Sequence, residues 1–169
     1  MSFSVDSLRT NLTNPARAYL WEVEFINPIG GGDADTLTVR CQSASIPARS
    51  VNPIHVPYKQ SAGIQYAGKL KYSQSWSLSF VEGEDKKIHD AIYGWQQQLV
   101  HDISNLSAGD EYIKADLYMR LQTTKGEDGM NIRLVGCFPI SIGEVSLSQS
   151  TEDLIRYEVT FSYDRWQEI

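Results

Sequence analysis

The sequence predicts a mainly β protein, folded as an antiparallel two-sheet sandwich or barrel with one flanking α-helix and one long extended arm. Three observations support this fold class. Apolar and polar residues alternate in several runs, turn-forming residues separate those runs, and only one long stretch has helical periodicity. At 169 residues the chain can bury a full hydrophobic core, so we expect residues 1–169 to form a single domain.

The first predicted hairpin lies near the N-terminus. Residues 21–25 and 37–42 each alternate between apolar and polar side chains, and the glycine-rich stretch 30–32 between them predicts a loose tip. A longer strand is expected at 72–82. Its apolar face comprises Trp76, Leu78 and Phe80, and its polar face comprises Ser75, Ser77 and Ser79.

The C-terminal half contains the remaining predicted strands. Residues 115–122 alternate, the glycine-containing stretch 125–129 turns the chain, and alternation resumes at 132. A short strand is expected at 145–147 and a last strand at 154–163. The sequence therefore predicts about seven strands.

One amphipathic helix is expected at about 86–100, where Ile88, Ile92, Trp95 and Leu99 recur at helical spacing after an acidic stretch. A shorter helix is expected at 6–11. It should end before Asn14-Pro15, because the residue before a proline disfavours helical backbone.

The segment 44–70 matches no core element. Its prolines, Pro47, Pro53 and Pro57, lack backbone donors, yet the segment is too apolar for a solvated linker. We expect an arm that contacts another subunit, by strand addition or by wrapping. An arm folded onto its own domain is the alternative. The residues expected to make the contact are Arg49, Ile54, Val56, Tyr58, Lys59, Tyr66, Lys69 and Lys71.

The charge is unevenly distributed along the chain. The net charge is −6, but residues 36–81 contain five basic residues and no acid, whereas residues 1–35 carry −3 and residues 82–169 carry −8. A basic middle and acidic flanks favour head-to-tail contacts between copies of one chain. Charge alone leaves open a basic hairpin that is simply solvated or that touches an anionic partner.

The sequence lacks the motifs of a catalytic, metal or cofactor site. His55, His89 and His101 are not spaced as metal ligands are in known metal-binding motifs. His101 lies near Ser104, but the sequence around Ser104 does not match the motif of a catalytic serine. The two cysteines are expected to be small buried residues. We expect no cofactor, no metal and no enzymatic activity, and an acidic chain is not expected to bind nucleic acid specifically.

The sequence contains no secretion signal and no apolar run long enough to span a bilayer, so we expect the protein to be made and kept in a cytoplasm.

Several segments resemble the tail tube proteins of contractile-tailed bacteriophages, a family related to the tubes of type VI secretion and contractile injection devices. The resemblance spans nearly the whole chain, although each motif is loose. The stretches that carry it are Asn14–Glu24, Cys41–Pro47 with Ile54–Tyr58, Ile88–Trp95, Gly136–Leu147 and Ile155–Trp166.

The resemblance implies a hexameric ring with a β-lined lumen, and a stack of such rings inside a sheath. It implies that residues 44–70 and the N-terminal segment 1–17 contact neighbouring subunits. The implied partners are other copies of the chain and the sheath, baseplate and tail-terminator proteins, in a virion tail assembled in the host cytoplasm. The alternatives are an injection-device or type VI secretion tube, a baseplate or tail-end subunit that initiates or caps a tube, and a carbohydrate-binding sandwich.

The polar strand faces are the candidates for lining a channel. A neutral or acidic wall lets DNA pass without specific binding, whereas a basic wall would retain it. The residues expected to face the lumen are Ser75, Ser77, Ser79, Glu158 and Thr160.

Overall fold

The computed structural model describes residues 4–12, 14–26, 33–59, 61–100, 113–150 and 152–169. These residues form nine strands and three helices. The helices are α1 (Val5–Asn11), α2 (Ala34–Arg40) and α3 (Lys87–Leu99). The strands are β1 (Trp21–Phe25), β2 (Cys41–Ala44), β3 (Arg49–Tyr58), β4 (Ser61–Tyr72), β5 (Ser75–Val81), β6 (Ala115–Gln122), β7 (Asp128–Ile142), β8 (Arg156–Ser162) and β9 (Arg165–Glu168).

Seven of the strands form two antiparallel sheets joined by the long strand β7, and β3 and β4 pair separately as a hairpin. The first half of β7 pairs with β6 and β9, and β6 pairs with β1. The second half of β7 pairs with β8, which continues through β5 to β2. Gly136 lies where β7 changes partners, with φ of 70°. This positive φ is strained for any other residue, so the junction favours glycine.

The two sheets enclose one hydrophobic core. The ring of Phe25 lies 5.9 Å from that of Phe80 and 6.3 Å from that of Phe161, and Phe161 lies 6.0 Å from Trp95 on α3. The Trp95 Nε1 donates to the carbonyl of Ile113 at 2.7 Å, which satisfies its buried polar atom. The helix α3 therefore completes the core as the flanking helix that the sequence predicts.

The sequence-based fold class is confirmed. The predicted helix 86–100 corresponds to α3, the short helix 6–11 corresponds to α1, and the strand 115–122 coincides with β6. The alternation at 72–82 produces β5, whose apolar residues are buried while Ser75 and Ser77 are exposed. Among the described residues of the segment 44–70, one is buried, Pro47. Most of the segment is the antiparallel hairpin of β3 and β4.

The first predicted hairpin is wrong in its second strand. Residues 34–40 form α2, and only Cys41–Ala44 form a strand, which pairs with β5 instead of β1. The side chain of Asp33 caps α2 by accepting from the Asp35 N–H at 3.3 Å and from the Thr36 hydroxyl at 2.6 Å. This cap outweighs the weak alternation of a short run. The predicted tip at 30–32 lies outside the described residues.

The predicted short strand at 145–147 is also absent. Residues 143–148 adopt no regular structure. The Gly143 N–H donates to the Glu158 carbonyl in β8, but the backbone groups of residues 144–147 pair with no strand among the described residues. The last strand is Arg156–Ser162, slightly shorter than the predicted 154–163.

A carboxylate from outside the helix fixes the start of α3. The side chain of Glu82 is only 5% exposed and accepts hydrogen bonds from the backbone N–H groups of Ile88 at 3.3 Å and His89 at 2.7 Å. Arg40, at the end of α2, lies 3.5 Å from Glu82 and makes two 2.7 Å hydrogen bonds to Asp85. The free N–H groups at a helix start favour negative charge, so Glu82 stabilises the start of α3. Because Arg40 contacts both Glu82 and Asp85, it connects the end of α2 to the start of α3.

The ion pair predicts a pH dependence of stability. Hydrogen bonding from Arg40 lowers the pKa of Asp85 from 3.8 to about 2. Because the folded-state pKa is lowered, this contribution to stability is present above about pH 4 and is lost as the pH falls towards about 2. The difference in urea unfolding midpoint between the wild type and Asp85→Asn should therefore shrink over that window. In an Arg40→Gln background the same difference should be small at every pH. A difference that stays constant as the pH falls would contradict this role of the pair.

Candidate subunit interface

The hairpin of β3 and β4 exposes a row of apolar side chains. Ile54 pairs with Tyr66 and Val56 pairs with Ile64, so the four side chains share one face. Each is between 47% and 57% exposed. We call these four residues the apolar face of the hairpin.

A two-stranded hairpin is marginally stable in water unless something packs against it. Every residue of β3 is exposed, and within the described ranges the two strands pair only with each other. Contiguous exposed apolar residues of this kind mark interaction sites in soluble proteins. The hairpin is therefore a candidate interaction surface.

The same hairpin is strongly basic. Residues 49–72 include four basic residues and no Asp or Glu. All eight predicted arm residues lie on the hairpin or its turn, and all are exposed. These residues are Arg49, Ile54, Val56, Tyr58, Lys59, Tyr66, Lys69 and Lys71. Their contact with another subunit stays a prediction.

The five predicted lumen residues lie together on one sheet surface. In the pairing of β5 with β8, Ser77 lies opposite Thr160 and Ser79 lies opposite Glu158, with Ser75 next along β5. The Ser77 and Thr160 hydroxyl oxygens are 3.2 Å apart. The opposite face of the same strands is buried in the core. This outer surface is rich in hydroxyl groups, and Glu158 is the one charged residue among the five.

The sheet that carries this surface ends in free strand edges. In the order β2-β5-β8-β7, neither β2 nor the second half of β7 has an outer partner among the described residues. Open edges of this kind can pair with another chain.

Sequence reasoning from the residues did not identify the exposed face of α1. Val5, Leu8 and Leu12 are all more than half exposed, and α1 has no buried residue. Their spacing of three and four residues was the available signal for an apolar helix face.

The matching family model identifies the chain. A model described as phage tail tube protein matches residues 8–169. The chain belongs to the phage tail tube protein family. No curated protein sequence matched it.

Solved structures with the same fold come from contractile injection systems. A chain of an extracellular contractile injection system, PVC sheath-tube complex in the extended state, is 18% identical with a TM-score of 0.66 over 99% of each chain. The PVC sheath/tube terminator structure is 19% identical with a TM-score of 0.68, over 92% of this chain and 96% of the other. The tube terminating cap of the anti-feeding prophage is 19% identical with a TM-score of 0.67, over 92% and 91%. At these identities the comparison shows the shared fold.

Within the described part of this tail tube family member, no group of His, Cys, Asp and Glu has the arrangement of a metal site. Burial raises the pKa of the Cys41 and Cys137 thiols to about 12, so both are protonated at neutral pH. Residues His101 and Ser104 lie outside the described residues. No helix in the described ranges has the length and apolar character needed to cross a membrane.

Removing the hairpin tests whether it belongs to the core or to an interface. Deleting residues 51–70 and joining Ser50 to Lys71 through Asn-Gly should leave a folded monomer, because those two residues are already paired. Circular dichroism should show cooperative unfolding within a few degrees of the wild type, while self-association measured by sedimentation should be lost. Loss of cooperative unfolding would show that the hairpin supports its own core.

Proposed function

We propose that this chain is a structural subunit of a viral tail tube. Copies close into hexameric rings, and the rings stack into a hollow conduit for genome delivery inside a contractile sheath. The observation that carries the proposal is the family match over residues 8–169. The chain acts as one domain over residues 1–169 and has no enzymatic role.

Ring closure follows from the free edges of the sheet β2-β5-β8-β7. Pairing the edge of β2 in one copy with the edge of β7 in the next would satisfy the backbone groups of both strands. Because this contact joins two different surfaces, repeating it produces a closed ring when the rotation from one copy to the next is a whole fraction of a full turn. The sheets of the copies then form one continuous β wall.

The hydroxyl-rich surface of β5 and β8 faces the lumen in this arrangement. Ser75, Ser77, Ser79 and Thr160 present neutral oxygens, and Glu158 adds a negative charge. None of these five residues offers a cation to DNA phosphates, and Arg156, on the same face of β8, is paired with Asp153 at 2.8 Å, so a duplex passes through without specific binding.

The hairpin and the N-terminal segment 1–17 supply contacts between subunits. Burying the apolar face of the hairpin removes apolar area from water, and its four basic residues direct it towards an acidic surface. The external partners are the sheath, baseplate and tail-terminator proteins. The tube forms part of the virion tail and is assembled in the host cytoplasm.

A second candidate is the tube, or the tube-terminating subunit, of a contractile injection system. It is favoured by the fold likeness to the PVC sheath-tube complex and to the anti-feeding prophage cap. A tube initiator at the baseplate is a variant of the same idea. Copy number per particle distinguishes them, because a wall subunit is present in many rings and an initiator or cap in one.

Electron microscopy of the purified chain tests the proposal. At high concentration and low ionic strength we expect hollow tubes of stacked six-membered rings, because screening of complementary charges is weakest there. The hairpin-deleted chain is the control and should not form tubes. Monomers alone under these conditions would contradict the proposal.

A lysine in the wall tests which face lines the lumen. Ser77→Lys tubes assembled with a short DNA duplex should hold DNA that is protected from nuclease, because each ring would place one ammonium group per subunit inside the channel. Val39→Lys, at a position 82% exposed on α2, is the control and should protect none. Equal nuclease protection in both variants would show that the Ser77 surface does not line the channel.

A further inference from the structure

The connection between β7 and β8 has the sequence of a strand but no strand partner. Glu144, Ser146 and Ser148 alternate with Val145 and Leu147. The connection is held at its ends, where the Gly143 N–H donates to the Glu158 carbonyl at 2.6 Å and the Glu82 N–H donates to the Ile155 carbonyl at 2.9 Å.

Between those anchors, the backbone of residues 144–147 makes no hydrogen bond with any described residue. Leu147 is 78% exposed. Its alternating pattern and free backbone groups suit addition to the edge of another sheet.

The hairpin offers one suitable edge. Strand β3 contains Pro53 and Pro57, which lack N–H groups, so its outer edge cannot supply a regular ladder. Strand β4 contains no proline over Ser61–Tyr72, and its outer edge has no partner among the described residues. The edge of β4 is therefore the one at which a further strand can pair.

Charge makes the two surfaces complementary. The hairpin carries four basic residues and no acid, whereas residues 134–155 carry three acids and no Lys or Arg. Asp153 is paired with Arg156 at 2.8 Å. Glu144 and Glu152 make no ion pair in the described ranges, so both are available to Lys69 and Lys71 of another copy.

The position of the two surfaces makes the contact intermolecular. The hairpin ends at Tyr72, just before β5 begins at Ser75, whereas the connection ends at Ile155, beside the opposite end of β5 where Val81 pairs with Arg156. A seven-residue strand spans about 20 Å, so the surfaces lie at opposite ends of the sheet. Complementary surfaces at opposite ends of one subunit make head-to-tail stacks.

We propose that residues Glu144–Ser148 of one copy form a strand on the free edge of β4 in the next copy along the stack. Leu147 and Val145 then extend the apolar face of the hairpin, and Glu144 and Glu152 pair with Lys69 and Lys71. This inference rests on the proposed tube function and names the two surfaces that join successive rings.

A charge exchange between two variants tests the pairing. Lys69→Glu with Lys71→Glu makes both surfaces of a chain acidic, and Glu144→Lys with Glu152→Lys makes both basic. Each variant alone should lose at least about ten-fold in tube yield, measured by sedimentation and electron microscopy, since like charges then face each other. An equimolar mixture should recover tubes, because each altered surface meets its complement. The control, Lys86→Glu with Lys125→Glu, changes two exposed lysines outside the hairpin and should assemble alone.

A proline tests the backbone pairing independently of charge. Ser146→Pro removes an N–H from the proposed strand and should reduce tube yield by at least about ten-fold, with no change in monomer unfolding, because residue 146 lies in no strand of the monomer. Gln149→Pro, just outside the proposed strand, is the control and should assemble normally.

The outcomes separate this inference from the proposed function. If the wild type forms neither rings nor tubes, the tube function fails. If the wild type forms tubes and Ser146→Pro does too, or if folded charge variants are not rescued by mixing, the strand pairing is wrong while the tube function stands. If circular dichroism shows that a charge variant is misfolded, the tube yield of Ser146→Pro alone tests the strand pairing.

Discussion

The antiparallel pairing of β5 with β8 is the constraint on which the rest of the structure depends. It aligns seven residue pairs. Leu78 and Val159 are buried on one face of the sheet, and Ser77 and Thr160 lie on the opposite, outer face. The buried side anchors both sheets to α3 through Phe161 and Trp95. The hairpin leads into the start of β5 and the β7–β8 connection leads into the start of β8. Because these two strands are antiparallel, the hairpin and the connection lie at opposite ends of the pair.

The elements predicted well from sequence are those whose local pattern agrees with their surroundings. The serine and apolar alternation of β5 needs only a core on one side, and α3 has an apolar stripe long enough to exclude a strand. The arm was recognisable because three prolines and many apolar residues do not suit either a core strand or a linker. Its pairing as a hairpin depends on contacts between residues 3 to 23 positions apart, which the periodicity of either strand does not encode.

The failures arise where a short-range and a long-range effect compete. Leu37 and Val39 alternate as in a strand, but the Asp33 cap and the Arg40–Asp85 contact stabilise a helix there. Glu82 belongs to the acidic stretch that the sequence places before α3, but the particular N–H groups of Ile88 and His89 that it caps follow no local motif. At 145–147 the pattern is that of a strand, but no strand among the described residues pairs with it. A strand-like sequence with no paired strand among the described residues is what the proposed pairing with a second copy requires.

The partial burial of Cys41 and the full burial of Cys137 have a practical consequence. With thiol pKa values of about 12, neither forms appreciable thiolate at neutral pH, and thiolate is the form that attacks maleimides and disulfides. A cysteine introduced on an outer surface would therefore be the preferred site of alkylation in an otherwise native chain. Dyes, spin labels or gold clusters can thus be attached at chosen positions without first replacing the natural cysteines.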